Sequence, residues 1–163
     1  MRKVIIIISL LFLMICNISL TSSVTAQNIP KIQVVWRSFI IVSVLVPPKT
    51  TTEQLKSLIY EFKKAKMSSS LTKYIPATTP GIKGDPHAQV IIFVFSDPKW
   101  ATEDEYKKYE RASMRTKAGK SIAQTYLNHI RASYEWYKLE AKEYGSLGYD
   151  EGGMQSASYK KLF

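Results

Sequence analysis

Hydrophobic positions along the chain fall into blocks of different period. Residues 32–46, IQVVWRSFIIVSVLV, are dense in β-branched and aromatic side chains and stop at Pro47 and Pro48, which cannot continue a ladder. The block predicts one long strand, bulged near Arg37 and Ser38. Its second half is apolar almost throughout, as in a strand covered on both faces, which puts it at the centre of a sheet. Thr50, Thr51 and Thr52 follow, with Glu53 three residues past Thr50 and Gln54 three past Thr51, so either pair closes a capping box. Leu55, Leu58, Ile59, Phe62 and Ala65 then recur at three and four residues and predict a helix over 51–66, decorated elsewhere by Lys56, Lys63, Lys64 and Lys66.

Pro76, Pro80, Gly81, Gly84 and Pro86 leave no room for a regular element in 71–87, which reads as a long connection. A second strand follows at 88–96, closed by Asp97 and Pro98. Strand, amphipathic helix and strand in that order make a βαβ crossover with parallel strands. Thr102 with Glu105 repeats the capping pattern and starts a second helix over 102–112, and a basic linker occupies 115–120.

Residues 122–137 carry two periods at once. Ile122, Tyr126, Ile130, Tyr134 and Tyr137 fit a helix. Tyr126, Ile130, Ala132, Tyr134 and Trp136 also alternate against His129, Arg131, Ser133 and Glu135, with Leu127 and Asn128 as misfits. The crowding of aromatics near 134–137, and a sheet's need for more than two strands, favour a third strand at 124–137. The tail, 145–163, has four glycines and little periodicity and reads as irregular. The resulting fold class is α+β: a small sheet on a βαβ crossover, with an added third strand and two short helices.

The start of the chain changes the picture from fold to address. Arg2 and Lys3 precede a short apolar run, 4–16, and small and polar residues follow through Val24, Thr25 and Ala26. This is the build of a secretory signal cleaved after Ala26, leaving one small α+β domain over 27–163 that is exported, secreted or periplasmic. An uncleaved N-terminal anchor is the alternative, but Asn17 interrupts the run well short of the ~20 apolar residues a span needs. Cys16 follows Met14 and Ile15 and lacks the small residue before it that lipidation requires. Cleavage removes this single cysteine, and with it any disulfide, thiol nucleophile or thiolate ligand.

Composition excludes several classes. With 163 residues, 45% hydrophobic, the chain has enough apolar side chains for a core, which rules out collagen, coiled coil and disordered polymer. The formal charge is +10; losing Arg2 and Lys3 while all 13 carboxylates remain still leaves about +8. Electrostatic partners would be anions.

The strand end Val44-Leu45-Val46-Pro47-Pro48, the threonine-capped helix with Leu55, Leu58 and Ile59, the segment Phe93-Val94-Phe95-Ser96-Asp97, His129-Ile130-Arg131-Ala132 and Gly145-Ser146-Leu147-Gly148-Tyr149 together resemble small exported bacterial proteins of uncharacterised function. The resemblance implies a βαβ unit with an added strand, and no activity.

Chemistry is sparse. A serine-hydrolase elbow needs G-x-S-x-G, and Gly145-Ser146-Leu147-Gly148 has the wrong spacing. A metal site needs several converging ligands. Only His87 and His129 are present, with Asp85 two residues before His87, and a loop aspartate and histidine are ordinarily turn-forming and solvated. Asp150, Glu151, Gly152 and Gly153 lack the spaced oxygens of a calcium loop. The acidic start Glu103, Asp104, Glu105 is explained by the helix dipole. No phosphate loop and no nucleic-acid motif occurs, and no cofactor is expected.

The distributed signal is lysine interleaved with aromatics. Lys63, Lys64, Lys107 and Lys108 are candidate binding cations, and Trp36, Trp100, Tyr134 and Trp136 are contact aromatics if exposed and core if buried. A solvated lysine face that keeps the protein soluble explains the cations equally. These features favour a non-enzymatic binding module whose partner is an envelope protein or an anionic polymer. The competing class is a hydrolytic or metal-dependent enzyme using Asp85, His87 or His129, which requires those residues to meet in one pocket.

Overall fold

The computed structural model describes residues 29–163. The signal segment and its cleavage after Ala26 lie outside the described residues. The elements are β1 (Gln33–Arg37), β2 (Ile41–Leu45), α1 (Thr52–Met67), β3 (Gln89–Phe95), α2 (Glu103–Glu110), α3 (Lys117–His129), β4 (Ala132–Tyr137), β5 (Lys142–Leu147), β6 (Asp150–Glu151), β7 (Met154–Gln155) and β8 (Lys160–Lys161). The fold is α+β, with a six-stranded mixed sheet in the order β1-β2-β3-β4-β5-β8 and a small β6-β7 ribbon.

The crossover stands as the hydrophobic periods predict. β2 and β3 run parallel, Ile41 beside Ile91 and Leu45 beside Phe95, with α1 connecting them. Of the two capping boxes the sequence offers, Thr51 with Gln54 closes: the Thr51 hydroxyl accepts from the Gln54 N–H at 3.2 Å, and the Gln54 side chain accepts from the Thr51 N–H at 2.9 Å. The apolar stripe of α1 is buried against Val42, Val44, Val90, Ile92, Val94 and Tyr134 on one face of the sheet. Alternate residues of β3, Ile91, Phe93 and Phe95, pack on the other face against Tyr109 of α2 and Ala123, Tyr126 and Leu127 of α3. β3 is therefore covered on both sides, and its unbroken apolar run follows from that.

Three expectations are corrected. The block 32–46 is a hairpin and not one strand: β1 returns antiparallel to β2, with Gln33 beside Leu45 and Arg37 beside Val42. The reversal falls at Ser38, Phe39 and Ile40, where the Ser38 N–H donates to the Ile41 carbonyl at 2.8 Å. No glycine, proline or asparagine marks it, so the apolar turn is hidden inside an apolar run.

The segment 115–137 is a helix followed by a strand. Thr116 caps α3 by accepting from the Gly119 N–H at 3.0 Å, so most of the basic stretch belongs to a helix and not a linker. Both periods in 122–137 are real, but in succession: Ala123, Tyr126, Leu127 and Ile130 are buried at helical spacing, and Tyr134 and Trp136 alternate on β4. Leu127, a misfit of the strand pattern, is a core residue of the helix.

The tail is ordered as β5, the β6-β7 ribbon and β8, which pairs back on β5. Its glycines serve turns and close approach. A side chain at Gly145 would collide with the Phe163 ring and an Ile59 methyl, so glycine is what lets the chain terminus fold over β5 against α1.

Candidate functional site

Strand register fixes which loops share an end of the sheet. β4 runs antiparallel to β3 with Tyr137 beside Gln89, and Lys142 at the start of β5 sits beside Tyr137. The β1-β2 reversal lies next to Ile91, whose N–H donates to the Ile40 carbonyl at 2.8 Å. The hairpin reversal, the long connection into β3 and the β4-β5 turn thus meet at the Gln89 end.

Each of these loops presents an apolar side chain. Phe39 is 73% exposed, Ile82 47% and Leu139 102%, and the three line one groove of about 300 Å³ floored by Ala88 and Tyr137. Met67, 76% exposed, ends α1 toward the same end of the sheet, since the crossover helix runs back from the Phe95 end, but α1 covers the face opposite to the one on which Tyr137 packs. Polar residues usually occupy such loop tips because their backbone is solvated, so a cluster of exposed apolar tips calls for explanation.

The loops are held firmly. Thr78 and Thr79 N–H groups both donate to the Pro86 carbonyl at 2.9 Å, the Ala88 N–H donates to the Thr79 hydroxyl at 2.8 Å, and Arg37 donates to the Ala77 carbonyl at 3.0 Å. The Lys138 N–H donates to the Ala88 carbonyl at 2.9 Å, tying the β4-β5 turn to the same connection.

Beside the groove lies a charged knot. Asp85 accepts from Lys66 at 3.2 Å and from the His87 N–H at 3.2 Å, with Lys138 at 3.6 Å. Burial pushes its carboxyl up, but the Lys66 hydrogen bond, the His87 N–H and the two lysine charges outweigh it and hold the pKa below its usual value. His87 is 2% exposed. The Thr78 hydroxyl donates to the Gln89 carbonyl at 2.7 Å, so it accepts from His87 Nδ1 at 3.3 Å and leaves Nε2 as the bare, buried nitrogen. Burial first, and Lys66 second, lower the His87 pKa against the pull of Asp85, so the ring is neutral near pH 7.

A second concavity, of about 400 Å³, lies over β4 and β5 and is lined by Glu135, Tyr144, Ser146, Asp150 and Tyr159. Burial raises the Glu135 pKa and Asp150 adds to the rise, while Tyr137, donating at 2.7 Å, opposes it. Asp150 is committed to its own turn, accepting from the Gly153 N–H and the Gln155 amide. Ser146 bonds Ser133 at 2.8 Å and reaches the Gly148 carbonyl at 2.9 Å. No histidine lines this cleft, so Ser146 has no imidazole base there.

No family model, curated protein or solved structure matches the chain. The resemblance to small exported proteins therefore lends it no family, and the site has to be read from its own geometry.

The sequence-derived residues are dispersed. His87 precedes β3 and His129 precedes the antiparallel β4, so they sit at opposite ends of a seven-residue strand, about 20 Å apart. Asp85 and His87 are neighbours, but His129 instead stacks on Trp100 at 3.9 Å and lies near Lys99 and Asp97. Among the described residues no three His, Cys, Asp or Glu side chains are grouped to hold a metal ion.

Trp36 packs on Tyr106, Trp100 on His129, and Trp136 lies against the α1 core beneath Lys66, so the tryptophans are half-buried and form no cluster around 71–87. Tyr134 is fully buried core. Lys63 pairs with Glu143 at 3.1 Å and lies over Phe163, and Lys64 is exposed. Lys107 pairs with Glu103 and Lys108 with Glu105, at 2.7 and 2.6 Å. Because α1 and α2 cover opposite faces of the sheet, these lysines do not form one basic surface.

Sequence reasoning misses Phe39, Ile82 and Leu139. Phe39 reads as part of a strand, Ile82 sits unmarked in a breaker-rich loop, and Leu139 lies beyond the last periodic block. The available signal is an apolar residue one or two positions from a basic one in each: Arg37 with Phe39, Ile82 with Lys83, Lys138 with Leu139.

Proposed function

We propose that the chain is an exported, non-enzymatic binding module that engages a component of the cell envelope or the extracellular space through the Gln89 end of its sheet. One observation carries this reading: three separate loops deliver Phe39, Ile82 and Leu139, exposed, to a single groove. Folding does not require Phe39 and Leu139 to be apolar, since they bury little, and a shared groove on braced loops suits recognition. The separation of His87 from His129, and the commitment of Asp85 to two lysines, withdraw support from an enzyme built on the three together. The export half of the reading rests on the N-terminal pattern, and among the described residues no helix is long and apolar enough to cross a membrane.

The test is retention of native envelope extract by the protein as its own cells produce it, with its N terminus fixed by mass spectrometry. A mature chain starting at Gln27 is the expected species. Phe39→Ser with Leu139→Ser should reduce captured material about tenfold or more, by removing apolar area from the contact. Equal capture by wild type and variant would reject this end as the binding surface.

A further inference from the structure

We infer that the partner of the Gln89 end is the surface of an anionic phospholipid bilayer, into whose interfacial region Phe39, Leu139 and Ile82 insert; the assignment rests on the reading of this end as the binding surface. Three features point to lipid.

The first is protrusion. Leu139 is as exposed as a residue in an extended peptide, and Phe39 nearly so, on different loops. A protein partner would need a matched pocket for each tip, whereas the interfacial zone of a bilayer accepts apolar side chains of any arrangement. The second is the placing of charge. Arg37 lies two residues before Phe39, Lys83 directly after Ile82, and Lys138 directly before Leu139. Each of the three groove residues thus has a cation within two positions, and Arg37 and Lys83, which no carboxylate pairs with among the described residues, suit the arrangement in which a long basic side chain lies along apolar surface and delivers its charge to the headgroups.

The third is the sign of the local field. The carboxylates of the surrounding loops are neutralised in place, Asp85 by Lys66 and Lys138, and Glu140 by Lys142 at 2.6 Å, while Arg37 and Lys83 have no ion pair among the described residues. The end is positive and complements a negatively charged membrane. The bracing hydrogen bonds from Thr78, Thr79 and Lys138 hold the tips before contact, so little ordering is left to binding.

Co-sedimentation with vesicles of phosphatidylglycerol mixed with phosphatidylcholine, against phosphatidylcholine alone, tests this. The protein as released by its cells should partition about tenfold or more in favour of the anionic vesicles, and the preference should fall steeply as salt rises. Lys83→Gln should lower it about fivefold, the effect of one cation at such a surface. Phe39→Ser with Leu139→Ser should lower retention at high salt, where the apolar contribution remains, and both replaced side chains are exposed, so thermal unfolding should be unchanged.

In Leu139→Trp, the added tryptophan emission should shift to the blue only with anionic vesicles. All these proteins carry the same N-terminal segment, so any membrane affinity it confers cancels. Equal retention on both vesicle types, or an added emission in Leu139→Trp that is indifferent to vesicles, would overturn the assignment. If vesicles fail while the Phe39 and Leu139 double variant still loses capture of envelope material, the lipid falls and the binding end stands. If the double variant changes neither, both fall.

Discussion

Ser69 holds a φ of +54°, in the left-handed region, at the position following the cap of α1. The Ser70 N–H donates to the Ala65 carbonyl at 2.7 Å and the Ser69 N–H to Lys66 at 3.1 Å, the paired bonds of a Schellman ending, which ordinarily places glycine where Ser69 stands. An L-residue there costs roughly 1–2 kcal/mol, partly offset because glycine gains more freedom in the unfolded chain. Ser69→Gly is therefore expected to stabilise the fold by about 1 kcal/mol and raise Tm by about 3 °C, read in a thermal melt. A lower Tm would mean that the serine side chain supports the ending in a way its backbone angle does not reveal. The strain lies at the foot of the charged knot, two residues past the exposed Met67 and close in sequence to Lys66.

At the scale of elements, what the sequence discloses depends on whether its cue is local. The stripe Leu55, Leu58, Ile59, Phe62 with its threonine cap reads as a helix because period and cap sit within the element, and β3 reads as a strand because its apolar run is closed by Asp97 and Pro98. The β1-β2 reversal does not, because Phe39 and Ile40 supply apolar residues where a turn ordinarily supplies glycine or asparagine. That same anomaly is the clearest feature of the binding end, so the misreading of 32–46 and the missed site have one cause. The α3-β4 junction is hidden for another reason: Ile130 finishes a helical face and Ala132 begins an alternating one, so a single window mixes two periods. Alternation already sets Ser133 and Glu135 opposite Tyr134 and Trp136, but Glu135 becomes visible as a cleft residue only once the tail is seen to bring Tyr144, Asp150 and Tyr159 beside it.

Arg131 shows how such elements are joined. Its backbone N–H donates to the Val94 carbonyl at 2.8 Å, and its guanidinium donates to Ser96 Oγ and to the Thr50 carbonyl, each at 3.0 Å, linking the end of β3, the approach to α1 and the start of β4. Arg131→Met keeps much of the side-chain volume but strips the donor from the buried Thr50. A loss of about 2 kcal/mol is expected, seen as a lower urea midpoint at unchanged slope. A change under about 0.5 kcal/mol would show that solvent replaces the guanidinium at both acceptors.

Across the whole molecule, the two ends of the sheet differ in what they ask of protons. The Phe95 end carries the acidic start of α2, paired along the helix with Lys107 and Lys108. The Gln89 end carries a buried neutral imidazole under a positive knot of Lys66 and Lys138 around Asp85. Protonating His87 in place would bury a cation beside Lys66, so the folded protein takes up that proton at a pH below the ordinary 6.5, while the unfolded chain takes it up near 6.5. The unfolded state then holds more protons as pH falls below about 6.5, and stability drops, at up to about 1.4 kcal/mol per pH unit for this one group.

His129 has a lowered pKa as well and adds a parallel slope, and Glu135, whose pKa is raised, acts in the opposite sense at lower pH. Both contribute equally to a variant that lacks only His87, so the comparison isolates it. His87→Gln keeps an amide donor for Thr78 and does not titrate. Its Tm should fall less steeply than wild type between pH 7.5 and 5.5, the window set by the ordinary histidine value. The readout is the slope, so a variant that is less stable at every pH still decides the matter. Parallel slopes would mean that His87 takes up its proton as readily in the folded protein as in the unfolded chain, which its burial and the lysine beside it oppose.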